Sequence, residues 1–323
     1  MTENIHFLLL PEFSMIGLLS AIEPLRVANR FQADLYRWHL LSLDGGPVRA
    51  SNGMSLEAEA ACFDAGGIDT LFIIAGFNPL AHADDTLKAW LRQLDRAGAT
   101  LGGIDTGCFP LAEARLFRQE RLTLHWEAIA AFQERYPLLT VTQELFEIDG
   151  KRISSAGGTA SLDLMLERLA RRHGAALAAL VSEQFVLGRI RSKNDHQRLQ
   201  LTARYGVHNK KLINAIAAME GNIEHPLTTI ELAELAGVTR RQLERLFRQQ
   251  FDATPSGFYL HLRLGRAREL LRQTGMSVLE ICLACGFESA TYFARAYRQR
   301  YGATPSHDRN DRAAAESGEP RQP

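Results

Sequence analysis

Two groups of side chains in this chain have the types and spacing for chemistry. The first surrounds Gly103-Ile104-Asp105-Thr106-Gly107, a turn between a short apolar run and a helical pattern. An α/β fold displays a nucleophile or a ligand-contacting group at such a strand-to-helix turn. Asp105 can meet a ligand there, or it can cap the helix that follows, for which Asp is among the best residues; the two readings stand level. The second group is Arg240, Arg241, Gln242, Arg245 and Arg248, which share one face of a helical segment. Arg and Gln bond bidentately to guanine and adenine edges in a major groove. A charged stripe is nevertheless more often a solvated helix face, so its surroundings decide.

Two further patterns carry less. Cys282-x-x-Cys285 has no second Cys/His pair to complete a zinc site and lies inside a helical pattern, so it reads as two small core residues. Gly157-Gly158 precedes a helix but belongs to no Walker or dinucleotide fingerprint. No metal or cofactor is expected.

The elements that position these groups fall into two halves. A chain of 323 residues suits two domains, and its 46% apolar and 23% charged composition excludes wholesale disorder. The zero formal charge is deceptive. Residues 1–190 hold 17 basic and 23 acidic side chains, whereas residues 191–310 hold 18 and 11, so a basic module follows an acidic one. Four cysteines are too few for a disulfide framework, no apolar run reaches membrane-span length, and the first residues lack a basic signal region. A reduced, cytoplasmic protein that does not enter a membrane is expected.

In the first half, Ile5–Leu10, Trp38–Leu43, Leu71–Ile74 and Leu101–Ile104 read as buried strands, with Leu145–Ile148 and the segment at Ile153 later. Met15–Arg30, Asp85–Ala97, Ala160–His173 and a segment from the Asp105 turn to about Phe117 read as helices. This alternation predicts an α/β domain with a doubly wound parallel sheet over residues 1–188, with ligands at the carboxyl ends of the strands. Phe13, Phe77, Phe109, His125 and Trp126 fall near those ends. Aromatic residues there are usually core, and a lone histidine is usually satisfied internally. The polar run from 189 to 209 reads as a linker, residues 210–308 as an all-α domain, and 309–323 as a disordered tail.

The all-α part contains a repeat. The stretch Ile230 to Gly237 aligns with Leu279 to Gly286 at an offset of 49, and Thr254-Pro255-Ser256 aligns with Thr304-Pro305-Ser306 at an offset of 50. Thr228-x-x-Glu231, Thr239-x-x-Gln242 and Ser277-x-x-Glu280 fit the capping box, and Gly237 and Gly286 fall where a first helix must end in a left-handed turn. Each copy is therefore a helix-turn-helix whose second helix can enter a major groove. Leu243, Leu246, Phe247 and Phe251 form the inward stripe of one copy, Phe293 and Tyr297 that of the other. Outside lie the five residues from Arg240 to Arg248 in the first copy and Ser289, Thr291, Tyr292 and Arg295 in the second. Repeat, caps, glycines and local basic excess agree on double-stranded DNA as a partner.

Residues 210–307, with Ile281…Ala284-Cys285-Gly286-Phe287 and Tyr301-Gly302-Ala303-Thr304-Pro305, resemble the AraC-type DNA-binding domain. The first half resembles the flavodoxin-like ThiJ/PfpI superfamily, which places a cysteine at Asp105, an acid at Glu23 and a histidine at His125. A carboxylate cannot do thiolate chemistry, so the resemblance implies a receptor with no catalytic residue rather than an enzyme. The combination is similar to GlxA-like regulators, and within them to the branch that activates carnitine catabolism. The stretches Ser20 to Arg30, Gly102 to Gly107, Leu124-His-Trp-Glu127 and Ser182 to Arg189 carry this likeness. It implies promoter DNA, RNA polymerase and a second copy of the chain as partners, and carnitine or a related trimethylammonium compound as inducer. Glycine betaine and amino acids are the alternative inducers, and a ThiJ/PfpI-like hydrolase using Asp105 or Cys108 with His125 is the less favoured alternative function. A quaternary ammonium group is held by aromatic faces and negative charge. Asp105, Trp126, Phe77, Glu23, His125, Phe13 and Phe109 are therefore the expected ligand residues, with His125 or Arg26 for the ligand carboxylate.

Overall fold

The computed structural model describes residues 2–187, 189–195, 197 and 201–309, so all of the tail expected over 309–323 except its first residue lies outside the described residues. The chain forms two compact units, 1–198 and 199–323. In the first, β1 (Glu3–Leu9), α1 (Met15–Phe31) and β2 (Tyr36–Ser42) are followed by three two-residue strands, β3 (Val48–Arg49), β4 (Ser55–Leu56) and β5 (Ala60–Ala61). Then come β6 (Thr70–Ile74), α2 (Asp85–Arg96), β7 (Thr100–Ile104), α3 (Cys108–Glu113), α4 (Ile129–Arg135), β8 (Phe146–Asp149), β9 (Arg152–Ser155), α5 (Ala160–His173) and α6 (Ala175–Glu183).

Seven strands form one sheet in the order β5-β2-β1-β6-β7-β9-β8. Its period of two explains why the apolar run at the start of the chain is continuous. Ile5, Phe7 and Leu9 pack into one core with Leu18, Leu25 and the α5 residues Leu162 and Leu166. Leu8 and Leu10 pack into the other, with Leu87, Leu91 and Phe132. A strand covered on both faces must be apolar at every position.

Three expectations are corrected. The sheet is not wholly parallel, because β8 pairs antiparallel with β9, Asp149 opposite Arg152. Only Gly150 (φ +59°) and Lys151 separate the two strands, a hairpin length that leaves no room for a crossover. Helix α3 stops short of Phe117. Arg115 takes φ +58°, and Leu116 N–H donates back to the Leu111 carbonyl at 3.0 Å, the hydrogen-bonding of a Schellman stop. Finally, the segment read as a linker is docked onto the first unit at Arg191, Lys193 and Gln197. Arg191 bonds to the buried Asp163 carboxylate at 2.6 Å, and Lys193 reaches the buried Glu147 at 3.1 Å. Gln197 donates to Thr123 Oγ1, the Leu124 carbonyl and the Glu144 carbonyl at 2.9, 3.1 and 2.9 Å. Polar composition suits a tether and a strap alike; buried carboxylates that need partners make it a strap.

The second unit contains α7 (Leu201–Tyr205), also inside the expected linker, then α8 (Lys210–Gly221), α9 (Thr229–Leu235), α10 (Arg240–Phe251), α11 (Pro255–Gln273), α12 (Val278–Ala284) and α13 (Ala290–Tyr301). Leu243 and Phe247 are fully buried against Leu212, Ile216 and Leu232, and Phe293 and Tyr297 are fully buried in the second copy.

Candidate ligand cleft and nucleic-acid interface

The chain leaves β1 towards β2 on one side and β6 towards β7 on the other. The loops that follow these two paired strands therefore diverge, and this reversal of strand order is where an α/β sheet is expected to offer a ligand crevice. Ser14 follows β1, Phe77 follows β6, Asp105 follows β7 and Gly157 follows β9. The Thr106 hydroxyl donates to the Gly76 carbonyl at 2.6 Å and ties two of these loops together. Asp105 has φ +63°, a left-handed conformation that non-glycine residues adopt at a cost and mainly where function requires it. Its N–H donates to the Ser155 carbonyl at 3.0 Å and its carbonyl accepts from His125 N–H at 3.3 Å. It is not a cap: α3 begins at Cys108, with Gly107 in the cap position and no side-chain bond. Gly157 is required beside it, since a Cβ there would lie 2.7 Å from that of Asp105.

Burial pushes the Asp105 carboxyl up to about 6, against the opposing pull of the His125 imidazole and of a hydrogen bond from Ser14. The carboxylate that adds to the upward push is Glu127, whose Oε2 lies 3.9 Å from His125 Nδ1. Glu23, expected in this role, instead forms a two-pronged ion pair with Arg26 one turn along α1, at 2.6 and 2.9 Å. Each neutralises the other, so neither is a spare charge for a ligand. The His125 and Trp126 rings lie 5.6 Å apart with a 37° tilt, and Phe77 is 37% exposed.

Phe13 and Phe109 are corrected to core residues. Phe13 is fully buried, and Phe109 packs edge-on against Phe132 at 4.9 Å; neither ring has a face left for a cation. Cys108 is buried, burial pushes its thiol far up, and its Sγ points to the Thr123 carbonyl at 3.5 Å. Ser14 and Glu127 are residues whose place here reading the sequence missed, and Gly157, noted there only as a weak phosphate-turn pattern, instead leaves room for the Asp105 side chain. Ser14 was the findable one, as a capping type directly before the helical pattern that starts at Met15.

In the second unit the three capping boxes at Thr228, Thr239 and Ser277 are all formed, and Gly237 and Gly286 take φ +65° and +71°. Of the expected DNA contacts, Gln242 and Ser289 also serve as helix-capping residues and Arg240 also forms an ion pair. The Gln242 amide oxygen accepts from Thr239 N–H at 3.0 Å, so that side chain is folded back along the helix. Arg240 is paired with Glu244 at 2.9 Å. Ser289 caps α13, its hydroxyl oxygen accepting from Tyr292 N–H at 3.3 Å. Arg241, Arg245 and Arg248 are exposed and make no ion pair among the described residues. In the second copy Thr291 and Tyr292 are exposed, and the Arg295 guanidinium lies 5.7 Å from the centre of the Tyr292 ring.

Residues 4–171 match the DJ-1/PfpI family, and residues 232–311 match the helix-turn-helix domain family. Over 309 residues, 96% of this chain and 92% of the relative, the sequence is 64% identical to the HTH-type transcriptional regulator CdhR of Pseudomonas aeruginosa. It is 35% identical to the HTH-type transcriptional regulator GlxA of Rhizobium meliloti, over 94% of each chain. The crystal structure of an AraC family transcriptional regulator from Pseudomonas putida superposes with a TM-score of 0.53 at 30% identity, covering 57% of this chain and 99% of that one. The chain belongs to the GlxA-like transcriptional regulators. Such a regulator joins a DJ-1/PfpI domain to an AraC-type helix-turn-helix domain, and here the former carries Asp105 where a thiol is expected.

For this GlxA-like regulator, Arg245→Ala is expected to weaken binding to a cognate operator by about 1–3 kcal/mol and to random duplex by much less. Fluorescence anisotropy on both duplexes checks it; equal losses would reduce Arg245 to a phosphate contact.

Proposed function

We propose that the protein is a ligand-responsive transcriptional activator in the cytoplasm, working as a homodimer on promoter DNA and recruiting RNA polymerase there. Its first domain receives a small quaternary ammonium carboxylate, carnitine being the compound that the resemblance implies. One observation carries this reading: at the crevice where strand order reverses, a strained turn holds an ionisable, partly buried carboxylate, with the only nearby thiol of that turn sealed in the core. A trimethylammonium group cannot donate a hydrogen bond, so it is bound by negative charge and aromatic faces, which Asp105, Trp126 and Phe77 supply. His125 faces the ligand carboxylate. A hydrolase needs an activated nucleophile, and Cys108 has neither access nor a lowered pKa.

On the DNA side, Arg241, Arg245, Thr291, Tyr292 and Arg295 read base edges or phosphates. Titration calorimetry of the purified protein with carnitine, glycine betaine and arginine tests the ligand. Saturable heat with glycine betaine alone would transfer the assignment to that compound; heat with none would remove the receptor reading.

Coupling between the two domains passes through Gln197. Its amide grips the Thr123 hydroxyl and the Leu124 carbonyl, immediately before His125 and Trp126, while the chain beyond it leads to the DNA-binding domain. Gln197→Ala is expected to leave carnitine affinity within about twofold and lower reporter induction at least about fivefold, because the strap loses charge-free hydrogen bonds worth about 1 kcal/mol each. An unaltered induction curve would exclude the strap as the route.

A further inference from the structure

The first unit has a second concave site, which runs alongside α2 and the end of α3. Helix α2 runs back from the carboxyl end of β6 to the start of β7, so its last turns lie beside the amino-terminal strand ends, with the residues that follow α3. Between them is a cleft of about 640 Å³ whose walls include Arg92, Arg96, Arg115 and Arg118. Three carboxylates also reach it, and each is already engaged: Asp85 by Lys88 at 2.8 Å, Glu113 by Arg135 at 2.7 Å and Asp95 by Arg152. The four arginines make no ion pair among the described residues. Glu120, next along the chain, accepts from the backbone N–H groups of Arg118 and Gln119 and not from a guanidinium.

Folding alone gives no reason for this arrangement. Arg92 and Arg96 are one turn apart on the same helix, where like charges repel. Arg115 occupies the left-handed C′ position of a Schellman stop, at φ +58°, where glycine is favoured and a side chain adds strain. Such strain at a charged, concave position is a pointer to binding. Guanidinium groups converging on one cleft match phosphate oxygens in a planar, bidentate geometry. The volume fits a compound of nucleotide size.

We propose that this cleft binds a small, soluble polyanion carrying two or more phosphate groups, separately from the Asp105 crevice, and so gives the regulator a second input. The full-length protein is titrated calorimetrically at low salt with inorganic pyrophosphate, with magnesium-free ATP and with a short poly-glutamate peptide. Saturable binding of pyrophosphate or ATP is expected, weakening as salt rises. Arg92→Ala and Arg115→Gly should each weaken it about tenfold, the loss of one charge-assisted contact. Arg115→Gly also keeps or raises the melting temperature, since glycine accepts the left-handed backbone, so its effect on binding is not a folding defect. The proposal is overturned by absence of saturable heat with both phosphates, by unchanged affinity in the two variants, or by binding of the peptide alone.

Discussion

Asp105→Asn is expected to abolish the response to carnitine and, at the same time, to stabilise the protein at neutral pH. The folded carboxyl titrates at about 6 against an ordinary 3.8, chiefly because burial penalises its charge. A folded-state pKa that is raised contributes stability at pH below 3.8, and that contribution is lost as the pH rises through about 6. At pH 7 the native protein therefore carries a penalty of about 3 kcal/mol at full burial, reduced to about 2 kcal/mol by the partial exposure of Asp105. Asparagine keeps the shape without the charge. Thermal denaturation across pH 4 to pH 8 should show the variant and the parent together at the acid end and the variant several degrees higher at the neutral end. Parallel curves at all pH values would mean that the carboxyl is not desolvated. Carnitine affinity of the parent should fall about tenfold per pH unit below about 6, as the proton competes with the ammonium group, and the variant should show no such slope.

The second large effect concerns two glycines that occupy equivalent places in the repeat. Gly286→Ala is expected to destabilise the DNA-binding domain by about 3 kcal/mol or more. Its φ of +71° is one cause; the other is that a Cβ would meet the carbonyl oxygens of Ile223 and Glu224 at 2.6 and 2.7 Å. Backbone cannot swing aside as a side chain can, and Arg263 holds the turn from the other side by donating to the Cys285 carbonyl at 2.8 Å. Gly237→Ala has a similar φ of +65° but nothing within 4 Å of the added carbon, so it should cost only the left-handed strain, about 1 kcal/mol. Urea denaturation of the two variants, followed by helical ellipticity, checks the difference. Equal losses would show that conformational strain, not packing, governs both turns.

Much of this protein was determined locally. The apolar runs at Ile5–Leu10 and Leu71–Ile74 specify strands covered on both faces, and the Ser/Thr-x-x-Glu/Gln boxes specify helix starts, because each rests on neighbours within a few residues. The repeat and the split of charge likewise announce a helix-turn-helix module behind an α/β domain. Tertiary structure alone decided the remainder, since it depends on which atoms arrive from far along the chain. It sends Phe13 and Phe109 into the core while leaving Phe77 exposed. It turns the charged run 189–195 into a strap by supplying the buried Asp163 and Glu147. It commits Glu23 to Arg26 and folds Gln242 onto Thr239. Type and spacing mark a residue as able to act; only long-range packing determines whether its charge is already neutralised and its face already covered.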